Sequence, residues 1–598
     1  MFYELALQYN KQLTEFSPFL TVKKRPEWEL LSPALKKRLI HLGEKYADFC
    51  FEGLPATSFM AFSRTGNRVD YEEIYFNKRR ALNALVMAER VENTGRFMDD
   101  IVNGIFSLCE ESGWQLPAHN SYIRDTPQLL LPDASLPVLD LFACETGALL
   151  ATLSYLLADK LDAFSPVITK RIADELDKRI FAPYFTCHFW WMGNGKEPMC
   201  NWTIWCTQNI LIAAFLSGLS PTRKQEVLLK ACKSVDYFLK DYGDDGCCDE
   251  GAQYYRHAGL CLFNTMEVLN SVSGDYFSKL YFNTKIRNIA SYILNVHVDG
   301  EYYINFADCS PIAGRAGVRE FLFGKRIQNT ELMKFAAQDY KADENTLLPQ
   351  EINLFYRMQA AVTAEEILSY DTEGDILRED IYYESVGIFK VHDASTCLAV
   401  KAGDNNDSHN HNDTGSFTVY KRGRPMLIDV GVESYSKKTF SPERYEIWTM
   451  QSSYHNLPEI DGVMQKNGEK YRAIDVMPSI EADKASISMD IAPAYPLKSL
   501  KYYKRSVSLI RDEKIVVQDC WEGCDSVVLN LMTYEKPVVQ SNDYILIGDL
   551  GSVTVEGACS IEAEEIPITD KRLQTAWKHS IYRLRLTAVG ESLQIAIQ

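Results

Sequence analysis

The densest grouping of reactive side chains is Asp407-Ser408-His409-Asn410-His411-Asn412-Asp413-Thr414-Gly415-Ser416-Phe417, which holds two of the chain's ten histidines. In extended backbone, residues i, i+2 and i+4 share a face. The spacing therefore predicts that His409, His411 and Asp413 project together, as metal ligands or as an acid–base pair. The competing reading is a polar loop whose Asn and Asp side chains cap turns. Two later segments extend the group. Asp429 ends an apolar run at residues 426–430, and His455 precedes the turn-rich Ile460-Asp461-Gly462. A buried Asp and a buried His each need a partner, either backbone at a turn or a shared ion. Zinc accepts imidazole nitrogen and carboxylate oxygen together.

The first part of the chain offers two further places. Asn201 opens a helical pattern in Cys200-Asn201-Trp202-Thr203-Ile204-Trp205, as a helix N-cap or as an amide donor aimed at a substrate carboxylate. Asp249-Glu250-Gly251-Ala252-Gln253-Tyr254-Tyr255-Arg256-His257 opens another. Consecutive residues on a helix point about 100° apart, so one of Tyr254 and Tyr255 faces a cleft and the other packs. Arg256 and His257 are placed to lower the phenol's pKa from its usual value of about 10.

The elements that must carry these residues change period along the chain. From about residue 20 to about 370, apolar residues recur at helical spacing. The windows are 81–91, 96–111, 145–161, 168–180, 202–216, 224–242, 251–269 and 276–294. Short loops between them predict antiparallel helix pairs, a bundle or a curved toroid of hairpins, with no fixed-length repeat. After about residue 378 the pattern alternates. Strands are expected at 385–391, 396–401, 416–421, 426–430, 505–510, 514–519, 526–531, 552–556 and 582–587. Many short strands without intervening helices mean an antiparallel sandwich. The expected domains are 1–375, helical, and 376–598, β-sandwich, with a small C-terminal sub-sheet as an option.

Composition excludes several classes. At 598 residues, 46% hydrophobic and 24% charged, the chain is long and apolar enough for two or more full cores. A net charge of −18 provides no global attraction for nucleic acid or an anionic membrane. No stretch approaches 18 uninterrupted apolar residues. Fifteen cysteines at irregular spacing form neither a disulfide framework nor a second pair to complete a zinc cage. The N-terminal residues lack the features of an export signal, so the expected location is cytoplasmic with reduced thiols.

The run from His409 to Phe417, with Asp429 and Gly431, Tyr454-His455-Asn456, Asn201-Trp202, Asp249-Glu250-Gly251 with Tyr254, and Asn305-Phe306-Ala307-Asp308, resembles the heparinase II/III-like polysaccharide lyases. The resemblance spans roughly residues 80 to 470. It implies an (α/α) toroid followed by an antiparallel β-sandwich, and β-elimination in glycans containing uronic acid. It implies Tyr254 as the proton-transferring tyrosine, with Tyr255 as the neighbour one position off, His409 as partner base and Asn201 as carboxylate neutraliser. Trp202, Glu250, Arg256, His257 and Arg315 are the expected substrate contacts. His411, Asp429 and His455 would hold a structural divalent metal, zinc by type, and no organic cofactor is implied. Where some relatives carry His after the Asn and an acid three residues on, this chain has Trp202 and Trp205.

An acidic oligosaccharide or polysaccharide as partner requires a locally basic cleft. Lys196, Arg256, Arg315, Arg319, Arg422 and Arg424 lie near the motifs in sequence. Nucleic acid and membrane are not expected partners, and a homodimer is left open. Two other functions fit the architecture. A glycoside hydrolase would use Asp249 or Glu250 with Asp308, two carboxylates across the scissile bond, but leaves the His-rich motif unused. A carbohydrate-binding protein would bind without turnover.

Overall fold

The computed structural model describes residues 1–18, 26–29, 31–124, 126–436 and 438–598; the opening residues 20–25 of the expected helical stretch lie outside these. The chain forms two compact units. One comprises Met1–Tyr242, His257–Asn283 and Ala316–Gly374; the other comprises Gly243–Arg256, Thr284–Arg315 and Asp375–Gln598. Two segments from the helical half of the sequence thus cluster with the β half.

The first unit is built from helices that include Val69–Glu92, Met98–Cys109, Leu141–Phe164, Pro166–Leu176, Asn201–Leu216, Pro221–Asp241, Gly259–Val272, Val318–Ile327, Thr330–Ala342 and Leu354–Ser369. One local device starts two of them. Ser165 Oγ accepts from Val167 N at 3.3 Å ahead of Pro166, and Ser220 Oγ accepts from Arg223 N at 3.4 Å ahead of Pro221. The serine satisfies an orphan amide, and the proline occupies a position whose N–H would go unused. Leu141–Phe164 is long and apolar enough to span a membrane by length and composition, but 78% of its most apolar window is buried within the protein. Asn201–Leu216 is buried at every position except Trp202. A helix apolar on all sides belongs at the centre of a helical layer.

The predicted window 251–269 is not one helix. It breaks after the single turn Ala252–Tyr255 and resumes at Gly259. Ala258, at φ −112° and ψ −82°, has left helical geometry. The short turn belongs to the second unit and the long helix to the first.

The second unit is an antiparallel β-sandwich. Among the described residues one sheet has nine strands and the other eight. Thr396–Lys401 forms as expected, as do strands overlapping the other predicted runs. Residues 426–430 are the least regular of these, since the strand Arg424–Leu427 stops before Asp429. Side chains alternate as the pleat requires. In Lys514–Glu522, Ile515, Val517, Asp519 and Trp521 are buried while Gln518 and Cys520 are exposed. Phe389, Val400 and Val419 of one sheet pack with Ile487, Val507, Val517 and Ile595 of the other in one buried cluster.

One ion pair inside the sandwich ties it to the loops that carry the site. Arg505 Nε and Nη2 donate to the two oxygens of Asp519 at 2.8 and 2.6 Å. Its Nη1 donates to the carbonyls of Gly415 and Asn456, both at 2.9 Å. These two residues close the His-rich segment and follow His455. Removing one partner strands a buried charge. Asp519→Asn is expected to lower the unfolding free energy by about 3–5 kcal/mol, read from urea denaturation.

Candidate active site

The site begins with three unusual backbone positions. Gly251 has φ +85°, and a Cβ there would lie 2.6 Å from Cys309 Cβ, so only glycine lets the Ala252–Tyr255 turn close on this segment. Ala307 at φ +56° and His409 at φ +58° are both left-handed. Such non-glycine positions are uncommon and cluster at functional sites. They aim the next side chain, Asp308, and His409 itself at each other.

Residues 406–416 therefore form a loop, and the expectation that His409, His411 and Asp413 share one strand face is corrected. Asp413 turns away to the buried ammonium of Lys401, 3.3 Å from its Oδ1. The two histidines instead meet on one carboxylate. His409 Nδ1 lies 2.8 Å from Asp308 Oδ2, and His411 Nε2 lies 3.1 Å from Asp308 Oδ1. Arg444 Nη2 donates to Oδ1 at 2.5 Å, and Tyr435 OH donates to Oδ2 at 3.1 Å. Burial pushes the Asp308 carboxyl up, but the hydrogen bonds from His409 and His411 and the Arg444 charge outweigh it. The group is held well below the usual carboxylate range.

The adjacent tyrosines resolve clearly. Tyr255 is packing: its OH donates to Ala290 O at 3.1 Å and its ring tilts against Tyr292. Tyr254 stacks on His409, with centroids 5.3 Å apart and planes 25° apart, and its OH lies 2.5 Å from Tyr435 OH. Burial raises the Tyr254 pKa, opposed first by Arg572 and then by the Tyr435 hydrogen bond. The cation acting on this phenol is Arg572, not Arg256 or His257 as the sequence suggested. The Arg572 guanidinium sits 4.4 Å over the Tyr435 ring and donates to Asp308 O at 3.1 Å. Arg256 instead donates to Arg315 O at 2.6 Å, and His257 belongs to the helical unit, stacked 3.8 Å from Trp205. Arg422 and Arg424 are spent on Asp549, and Arg319 lies over Tyr356 in the helical unit.

Burial works to keep His409 neutral, but Glu250 and then Asp308 outweigh it and raise its pKa. Glu250 Oε2 lies 3.9 Å from His409 Nε2, the ring atom turned away from Asp308. Asp249 is lifted to about 7 by burial, Glu250 and Asp407. Asp308, one of the two carboxylates that the hydrolase reading requires, is taken up by four side-chain donors.

His411, Asp429 and His455 each present a ligand atom within 4.8 Å of the others, all fully buried. His455 Nδ1 lies 2.9 Å from Asp429 Oδ2, and Gly431 N donates to Asp429 Oδ1 at 2.9 Å. His411 Nδ1 and His455 Nε2 are buried without a hydrogen-bond partner. Two orphaned imidazole nitrogens beside a carboxylate fit a divalent cation of the zinc type.

In the helical unit, Asn201 is the first helical residue, and the N-cap position falls on Cys200 without a side-chain cap. The capping role considered for Asn201 is therefore not the one it has. Trp202 is half-buried, its ring 4.7 Å from His119 and 5.1 Å from Trp190. Tyr435, Arg444 and Arg572 went unnoticed in the sequence. Tyr435 does follow Asp429 by only six residues, whereas Arg572 carries no local signal.

The family profile Heparinase II/III-like, C-terminal, matches residues 375–527. No curated protein sequence matches the chain. Similar solved structures include a heparinase III, at 13% identity and TM-score 0.61, covering 99% of this chain and 88% of that one. A heparan sulfate lyase HepC mutant from Pedobacter heparinus gives 14% identity and TM-score 0.57, covering 99% and 92%. A chondroitin AC lyase from Streptomyces coelicolor A3, in complex with chondroitin sulphate, gives 10% identity and TM-score 0.56, covering 96% and 82%. At these identities the likeness is one of fold: helices followed by antiparallel sheets, an architecture used by glycosaminoglycan lyases.

Proposed function

We propose that this chain, whose residues 375–527 belong to the Heparinase II/III-like C-terminal family, is a lyase that cleaves uronic-acid-containing glycans by β-elimination. The observation that carries the reading is the stacking of the Tyr254 phenol on the His409 imidazole, with His409 bonded to Asp308 directly and Tyr254 linked to it through the Tyr435 hydroxyl.

The C5 proton of a uronate is weakly acidic because its carboxylate resists further negative charge. An amide donor beside that carboxylate stabilises the enolate-like transition state, and such a donor is worth about 3–4 kcal/mol. The resemblance implies Asn201 for that role. Asp308 holds the Nδ1 edge of His409, which leaves Nε2 as the proton-accepting atom. Tyr254, kept a phenol by burial, gives its proton to the departing glycosidic oxygen. If proton and leaving group share a face, the phenol serves both steps. Each positioned transfer contributes roughly 10²–10⁴-fold.

His411, Asp429 and His455 would hold a divalent cation, which supplies a fixed charge and a cross-link between three segments. No proton step passes through it. His455→Ala is expected to abolish bound metal, measured by elemental analysis, and to lower the melting temperature.

Heparan, chondroitin, hyaluronan and alginate oligosaccharides, followed for new ultraviolet absorbance, test the reading. Elimination leaves an unsaturated uronate and hydrolysis does not. Reducing ends appearing without absorbance would reject a lyase in favour of a hydrolase.

A further inference from the structure

Tyr435 does more than fill space beside the stacked pair. Its hydroxyl has one proton and two oxygen acceptors in reach, Asp308 Oδ2 at 3.1 Å and the Tyr254 oxygen at 2.5 Å, while His409 Nδ1 at 3.4 Å is already engaged with Asp308. Asp308 does not depend on it, because His409, His411 and Arg444 also donate to that carboxylate. Tyr254, in contrast, has the Tyr435 hydroxyl 2.5 Å from its oxygen, with the Arg572 cation also acting on it.

We propose that Tyr435 is a positioning residue that swings its hydroxyl proton from Asp308 to Tyr254 when Tyr254 becomes a phenolate. The inference rests on Tyr254 being the proton-transferring tyrosine of the lyase reading. In the resting state Tyr254 donates to Tyr435, and Tyr435 donates to Asp308. During cleavage the Tyr254 O–H bond breaks and its proton forms an O–H bond on the leaving glycosidic oxygen. The electron pair stays on Tyr254, now an acceptor only. The Tyr435 O–H bond never breaks; it rotates to donate to the phenolate, and Asp308 keeps its three other donors. After the product leaves, the proton that His409 took from C5 passes through water to the Tyr254 oxygen, which resets both groups, and the Tyr435 hydroxyl rotates back. A hydrogen bond to a charged oxygen is among the strong ones, so this rotation lowers the Tyr254 pKa in the state that needs it.

Tyr435→Phe in the full chain removes only the hydroxyl oxygen. The expected result is a ten- to hundredfold fall in kcat on the oligosaccharide that the wild type cleaves, with KM changed less than threefold. The limb of the pH profile set by Tyr254 moves to higher pH, because the phenolate has lost its donor. An unmoved limb, or a rise in KM alone, overturns the proposal. A second measurement needs no substrate: ¹³C-tyrosine NMR titration, with the Tyr254 signal assigned by its loss in Tyr254→Phe. A higher Tyr254 pKa in Tyr435→Phe supports the proposal, and an unchanged one overturns it. Absence of unsaturated product from the wild type on every uronate would instead sink the lyase reading while this titration still reports on Tyr435.

Discussion

Tyr254→Phe and His409→Ala are each expected to lower kcat on a uronate oligosaccharide by about 10²–10⁴-fold, with KM changed only a few-fold. The split follows from geometry. Each side chain contributes one proton transfer, and neither is the group assigned to hold the substrate carboxylate. Because the two rings stack and act on one sugar, the double variant should lose little more than the worse single variant, as residues acting in one unit do. The pH dependence has a definite sign. The His409 pKa is raised, so its neutral, proton-accepting form is present only above a point higher than the usual 6.5. The acid limb of kcat/KM should therefore lie above pH 6.5 and move down in Glu250→Gln, since Glu250 is the first of the groups raising it. Initial rates of absorbance gain from pH 5 to 9 would check both. An acid limb that ignored Glu250 would remove His409 from the base role.

The His-rich segment was legible because unusual residue types stood close together, whereas the residues alone left Tyr254 and Tyr255 undecided and only the resemblance implied Tyr254. The strands predicted at 396–401, 416–421, 505–510, 514–519 and 526–531 were legible from their local apolar alternation. What the sequence withheld was the convergence. The strand-face rule failed at 409–413 because His409 is left-handed, and a single left-handed residue resets the direction of everything after it. Arg572 reaches the backbone of Asp308 across 264 positions, a distance over which no spacing rule operates. Arg256 and His257 seemed the natural modulators of Tyr254 because they adjoin it. The turn ends at Tyr255, however, and the neighbours diverge. The sandwich strands Ile474–Ile480 and Ala558–Pro567 were also missed. Their side chains are largely exposed, so the apolar alternation that identifies a half-buried strand is faint.

Asp308→Asn is expected to cost more than either catalytic substitution, because it damages stability and chemistry together. The native carboxylate accepts from two histidines, an arginine and a tyrosine, and has no exposed surface. An amide of the same shape keeps one acceptor oxygen and turns an NH₂ toward groups that are themselves donors. The Arg444 charge then has no carboxylate, and breaking a buried pair this way costs about 3–5 kcal/mol. The folded-state pKa of Asp308 is depressed, so its contribution is complete above the unfolded carboxyl value of about 3.9. It falls away progressively as pH drops from there toward the depressed folded value. The destabilisation of Asp308→Asn should therefore be full at pH 7 and shrink in strong acid, where the wild type loses the same interaction. Urea midpoints at pH 7 and pH 3 measure it. Activity should fall in the same variant because His409 loses the acceptor that orients Nε2, and Tyr435 loses its resting partner. A variant that was stable at pH 7 and still turned over substrate would show that the four donors meet there without needing the charge.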